Sequence, residues 1–312
     1  MKHMKKRIQR HTKVAYGKSV DMYRRVCYRL LGSLTDSVTI RTKQGTLTTR
    51  TRDYGIGEPL YRRRQYEFDT SVRTVRFLKN RGFLPSSDVK MVDIGANIGV
   101  TGIGLLLAGE VARVLAIEPE PTNFELLRKN TEQNSLSDRV LSLQLAVGDG
   151  PSTLSMELSS KNRGDHRIRR NPSPDATERY SESARRTIQV RSLPLPQILE
   201  LSEVRTMDLA SPSLIWIDVQ GYEGYVFRGA TSVLRNGLPT VSEIWPYGVL
   251  RTGMELEEFC RIVESIWTDY WIERRERFIR YPITVFGRYL DELGTDGHFE
   301  NVVFSGKTRS LA

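Results

Sequence analysis

The segment Asp93-Ile94-Gly95-Ala96-Asn97-Ile98-Gly99 constrains this chain more than any other. It lies between an apolar run that reads as a strand and a stretch that reads as a helix. Its glycines permit a tight turn and let backbone N–H groups approach a ligand. A strand, a glycine turn and a helix form the opening unit of an open α/β sheet, which binds ligands at the carboxyl ends of its strands. The glycine spacing here is G-x-x-x-G, not the G-x-G-x-x-G of dinucleotide sites, and Asp93 ends the strand. A carboxylate in that place repels a diphosphate. It suits a cationic, amino-acid-bearing ligand such as S-adenosylmethionine.

From residue 88 onward, short apolar runs alternate with helical stretches. Strands are expected over 89–94, 113–118, 140–147, 214–219 and 240–244, with two more at 270–273 and 299–304 completing a sheet edge. Helices are expected from Gly99 and from Pro121, a residue whose fixed φ suits a first helical turn. The pattern predicts an α/β, Rossmann-like fold with a mostly parallel sheet and helices on both faces. Ahead of it, 37–51 alternates as a β-hairpin and 66–80 has helical period, with Val72, Val75, Phe77 and Leu78 inward. The expected division is a basic arm and helix at 1–36, a hairpin-and-helix cap at 37–87, and the catalytic domain at 88–312. The polar stretch 159–186 has no period and reads as a functional lid or a disordered loop.

Charge separates the arm from the rest. The chain has 312 residues and a net charge of +10, yet residues 1–34 hold ten Lys/Arg and a single acid, Asp21. The remainder is nearly neutral, so an evenly basic nucleic-acid cleft is not implied. Met22, Val26 and Leu30 recur at helical spacing, and the expectation is that they pack on the core. A membrane-surface or anionic partner for the arm is the second reading. The longest apolar run, 100–108, is too short to span a bilayer, and no apolar signal segment follows the basic start. With two cysteines, Cys27 and Cys260, and no His/Cys ligand spacing, the expectation is reduced thiols, a cytoplasmic protein and no metal site.

Glu118 ends the second strand, 25 residues after Asp93. An acid at that point accepts hydrogen bonds from ribose hydroxyls. The competing reading is that it caps the helix starting at Pro121. At this point the chain resembles the FkbM-type methyltransferases. The resemblance rests on Asp93 to Gly99, on Ile117-Glu-Pro-Glu-Pro-Thr-Asn-Phe-Glu-Leu-Leu, on Ala146-Val-Gly-Asp, and on Ile217-Asp-Val-Gln-Gly-Tyr-Glu followed by Phe227-Arg-Gly-Ala. It covers roughly residues 60–245 and implies a class I methyltransferase fold with a seven-stranded sheet. It also implies O-methylation of a hydroxyl on a natural product, small molecule or sugar. The cofactor set it implies is Asp93, Gly95, Ala96, Asn97, Gly99, Glu118, Pro119, Ala146, Val147 and Asp218. Two positions depart from the family: Gln220 stands where the family usually has Glu, and Leu193-Pro194 where it usually has an acid after the leucine.

For a hydroxyl acceptor the base candidates are acids near the carboxyl ends of strands: Asp218 first, then Glu243 and Glu223. His166, in the long loop, reads as solvated. Trp245-Pro-Tyr247 offers either an apolar wall for an acceptor ring or core packing. An NAD-linked oxidoreductase is disfavoured by the missing third glycine and by Asp93. A nucleic-acid methyltransferase is disfavoured by Asp218-Val-Gln-Gly in place of Asn/Asp-Pro-Pro-Tyr. A non-catalytic cofactor-binding protein working through its basic arm is the remaining alternative.

Overall fold

The structure, a computed structural model, describes residues 20–174 and 176–306. Residues 20–34 are helical (α1). The hairpin strands β1 (Ser37–Thr42) and β2 (Gly45–Arg50) pair antiparallel, and helices α2 (Gly57–Arg63) and α3 (Phe68–Asn80) follow. Alternation then begins with β3 (Lys90–Ile94), α4 (Val100–Leu107), β4 (Arg113–Ile117), α5 (Pro121–Gln133) and β5 (Val140–Leu143). Next come β6 (Ala146–Val147), β7 (Ser152–Glu157), β8 (Arg167–Ile168), β9 (Thr187–Leu193), α6 (Leu195–Leu199) and α7 (Ser202–Thr206). The chain continues through β10 (Leu214–Ile217), α8 (Glu223–Leu234), β11 (Thr240–Ile244), α9 (Pro246–Arg251) and α10 (Leu256–Ile266). It closes with β12 (Asp269–Arg274), β13 (Arg277–Pro282), α11 (Phe286–Leu293) and β14 (Glu300–Ser305).

Among the described residues the main sheet has eight strands in the order β13-β12-β14-β11-β10-β3-β4-β5. The five from β11 to β5 are parallel, and β14, β12 and β13 run antiparallel to their neighbours. This is the class I methyltransferase arrangement with one strand more than the expected seven. The addition is β13, the return arm of a hairpin with β12 at the sheet edge. Its exposed Arg277 and Arg280 break the apolar pattern that marks the other strands. The expected strand at 140–147 also divides. β5 stays in the main sheet, while β6 joins a separate sheet ordered β6-β9-β7-β8.

Side-chain parity sorts the core. Val92, Ile94, Leu115, Ile117, Ile215 and Ile217 pack on one face of the sheet, and Met91, Val114, Ala116, Leu214 and Trp216 on the other. Both faces are covered, which is why these strands read as continuous apolar runs. Sequence order reverses between β3 and its neighbour β10, so the crevice of the fold opens above their carboxyl ends.

Two expectations need correction. Met22, Val26 and Leu30 do not pack on the core but are exposed. α1 docks instead through polar anchors on its other face. The Tyr28 hydroxyl lies 2.6 Å from Arg50 O and 2.9 Å from Asp53 O, and Arg25 pairs with Glu58 at 2.9 Å. The stretch 159–186 is neither structureless nor detached. Arg167 is buried between Asp165 and Glu182, and Arg185 reaches Asp165 at 2.7 Å and Glu157 at 3.4 Å. Paired charges hold this segment where apolar residues hold the others, so no hydrophobic period marks it.

Candidate active site

The turn after β3 forms the floor of the crevice. Gly95 adopts φ +84°, and a Cβ there would lie 1.8 Å from the Asp218 carbonyl oxygen. The residue must therefore be glycine both for its backbone conformation and for the approach of β10. Asn97 (φ 50°) and Gln220 (φ 56°) are non-glycine residues in the left-handed region. Such strain collects at functional sites when the surroundings over-determine it.

Glu118 stands at the carboxyl end of β4. Its Oε2 accepts from Asn97 N at 2.9 Å and its Oε1 from Glu120 N at 2.8 Å. It does not cap α5. That task falls to Glu120, which accepts from Asn123 N at 2.7 Å. Each Glu118 oxygen keeps one lone pair, and the side chain borders the cleft. Burial pushes its carboxyl up to about 8, and the two amide donors offset only part of that.

The cleft is partly enclosed, with a cavity volume of about 50 Å³. Gly95, Asn97, Glu118, Pro119, Ala146, Val147 and Asp218 line it, as expected residues brought together by the fold. Ala96 and Gly99 shape the turn from behind. Asp93 is elsewhere. It shares the parity of Met91, so its carboxylate faces α4, where Oδ2 sits 3.1 Å from the point at which a Gly102 side chain would begin. Oδ2 completes no hydrogen bond among the described residues, and the nearby Gly102 amide only partly offsets its burial. Burial and the charge of Asp218 push Asp93 up to about 7. In this geometry it supports the turn and does not front the ligand.

At the other end of the cleft, Gln220 Nε2 donates to Asp218 Oδ1 at 2.6 Å and to Glu243 Oε1 at 2.8 Å. The departure from the family residue now has a physical reading: the amide donates to two carboxyl groups, where an ionised glutamate would offer no donor. Asp218 is open to the cleft. Even so, the protein surrounding it raises its carboxyl to about 6, against the pull of Gln220 and with the push of Asp165. Burial and the charges of Asp218, Glu223 and Glu67 hold Glu243 well above the usual carboxylate range. Glu223 is fully buried, and its Oε1 accepts from Val219 N and Gly221 N at 3.2 Å each. It fastens the β10–α8 loop and does not border the cleft.

The other wall comes from residues the sequence did not single out for it. Arg163 O is held by Asn97 Nδ2 and Asn123 Nδ2, each at 3.0 Å, and Arg163 N donates to Asp53 Oδ1 at 3.2 Å. His166 is buried, not solvated, and its Nδ1 accepts from Ser159 N at 3.0 Å. The proton of the neutral ring therefore sits on Nε2. Burial, Arg163 and Arg185 push His166 down to about 3. His166 Nε2 and Asn123 Oδ1 are both buried without a hydrogen-bond partner among the described residues, and both side chains border the cleft. The only sequence signal was the Asn123 in the second matched block. Trp245 and Tyr247 are core. The Arg167 guanidinium lies 4.4 Å over Trp245, and the Tyr247 hydroxyl donates to Glu182.

The profile of the methyltransferase FkbM domain matches residues 93–267. The chain belongs to the FkbM methyltransferase family. The hexuronic acid methyltransferase AglP of Haloferax volcanii is similar, at 26% identity over 145 residues, 46% of this chain and 51% of AglP. The chain thus spans about half the length of that curated relative. Among solved structures, a SAM-dependent O-methyltransferase of Thermotoga maritima aligns at 11% identity with a TM-score of 0.38, covering 77% of this chain and 66% of that one. Methanocaldococcus jannaschii Trm5 in complex with adenosine aligns at 10% identity and a TM-score of 0.42, covering 86% and 55%. No helix among the described residues of this FkbM chain is long and apolar enough to cross a membrane.

The buried acids set a pH dependence of stability. Glu118, Asp93 and Glu223 have folded values of about 8, 7 and 7, all above their unfolded values near 4. Their contribution is full below the unfolded values and is lost progressively as pH rises from there to the folded values of about 7 to 8. His166 acts oppositely, but its loss begins only below its unfolded value of about 6.5. The ligand-free protein should therefore show a falling Tm between pH 6.5 and 8. A flat or rising Tm across that window, in thermal scans at constant ionic strength, would contradict the protonation of these carboxyls.

Proposed function

We propose that this chain transfers a methyl group from S-adenosylmethionine to a hydroxyl of a small polyhydroxylated acceptor such as a sugar. The observation that carries the reading is the two-ended cleft: Glu118, with a spare lone pair on each oxygen, at one end, and the Asp218–Gln220–Glu243 set at the other. The residues fit the cofactor. Glu118 suits two ribose hydroxyls. The unpartnered Asn123 Oδ1 and His166 Nε2–H offer the acceptor and the donor that a purine edge needs, between Pro119, Ala146, Val147, Met156 and Ile168. When bound, the cofactor supplies an electrophilic methyl group. Residues 37–87 would act as the cap over the domain.

Asp218 is the group placed to take the acceptor's proton. A hydroxyl is a far weaker acid than a carboxyl, so the proton moves as the new C–O bond forms, a general-base effect worth roughly 10²–10⁴-fold. Asp218, which borders the cleft, repels phosphates when ionised and disfavours a nucleic-acid acceptor. The name of the Haloferax relative supports a sugar acceptor.

Asp218→Asn tests the assignment, because Asn keeps an Oδ1 to accept from Gln220. The expected result is turnover down by roughly 10²–10⁴-fold with cofactor affinity nearly intact. Labelled cofactor, a panel of hydroxylated metabolites and glycans, and a mass gain of one methyl provide the readout. Weaker cofactor binding with little loss of turnover at saturation would reassign Asp218 to cofactor positioning. Tight NAD binding and no S-adenosylmethionine binding by calorimetry would overturn the reading.

A further inference from the structure

We infer that the outer face of α1 docks on an anionic lipid bilayer. Met22, Tyr23, Val26, Leu30 and Leu34 are 58%, 70%, 50%, 61% and 81% exposed. Their spacing puts them on one stripe of the helix. They make up half of the ten large apolar side chains that are exposed among the described residues, so the exposure is concentrated and not scattered. The opposite face is committed to the fold through Tyr28, Arg24 and Arg25.

Charge decides the occupant. Residues 1–19 contain seven Lys/Arg and no acid, and Arg29 lies within the exposed face. An apolar helical stripe preceded in sequence by clustered cations is the combination that enters the headgroup region of an anionic membrane. A second copy of this chain would bring two such cationic segments together, and their repulsion opposes pairing through this face. A nucleic acid would use the cations but leave the stripe in water. The helix also connects to the cleft wall, because Tyr28 contacts Asp53 O and Asp53 Oδ1 accepts from Arg163 N. Docking would hold that wall near the surface.

The test uses the intact chain and phosphatidylcholine vesicles with or without phosphatidylglycerol. The chain should co-sediment with the phosphatidylglycerol vesicles, less so at high salt. The double substitution Val26→Glu with Leu30→Glu, at exposed positions away from the cleft, should weaken binding by at least about tenfold. Its circular dichroism, and its turnover on a soluble acceptor, should match the parent. Separately, Tyr23→Trp should show a blue-shifted emission on adding these vesicles, which reads insertion without any loss-of-function variant. No binding of the intact chain to the anionic vesicles would overturn the inference. So would equal binding by the double variant, which would assign the effect to the arm's charge alone. A vesicle-free dimer that the double substitution dissociates, seen by sedimentation velocity, would assign the face to self-association instead.

Discussion

Gly95→Ala is expected to lower unfolding stability by about 2–5 kcal/mol, combining a left-handed backbone cost with overpacking. The backbone cost follows from φ +84°, and the overpacking from the 1.8 Å approach to the Asp218 carbonyl oxygen. That oxygen belongs to backbone, so relief requires the end of β3 and the start of the β10–α8 loop to separate, which opens the cleft floor. Cofactor affinity should fall with stability. Gly82→Ala is the control. Gly82 has φ +73° but nothing within 4 Å of a new Cβ, so only the conformational cost of about 1–2 kcal/mol remains. Urea unfolding of the two variants separates strain from collision. Equal losses would mean that the contact with Asp218 has no energetic weight.

The second large effect is at Glu118. Above about pH 8, where its carboxyl is ionised, Glu118→Ala should weaken cofactor binding by about 2–4 kcal/mol, since hydrogen bonds to a charged acceptor are the stronger class. It should also cost about 1–3 kcal/mol of stability, because the amides of Asn97 and Glu120 lose their acceptor in a buried place. The stability loss was not foreseeable without the structure. Proton linkage gives a sharper signature. The ionised carboxylate accepts from two hydroxyls better than the neutral acid does, and burial holds the group near 8. Affinity for S-adenosylmethionine should therefore climb between pH 6.5 and 8.5, and Glu118→Gln should flatten that climb. Calorimetry across pH provides the check, and an unchanged affinity in Glu118→Ala would remove the ribose role.

The alternating sheet, the glycine turn and the acid at the end of β4 were legible in the residues, because each is a local requirement. Apolar runs make strands, a positive φ calls for glycine, and proline opens α5. Asp93 was misplaced because its role depends on parity. One residue's step along β3 turns its side chain from the cleft toward α4, and no motif records which layer lies on which face. Glu223 stood among the base candidates, behind Asp218, although it fastens backbone amides, a fact that exists only once the β10–α8 loop has folded back over it. Gln220 was visible as a substitution and became intelligible only with Glu243 beside it, 23 residues away in sequence.

The segment 159–186 shows the same division most clearly. Its charges gave no period, and their pairing is between residues distant in sequence: Arg167 with Glu182 and Arg185 with Glu157. Ion pairs depend on distances between side chains that the chain order leaves free, whereas hydrophobic alternation depends on backbone geometry that each residue carries with it. The sequence by itself thus determined the parallel core of the sheet, the turn and the family. Only the tertiary structure decided which acids face the cleft, that His166 is buried against it, and that the stripe on α1 points to solvent.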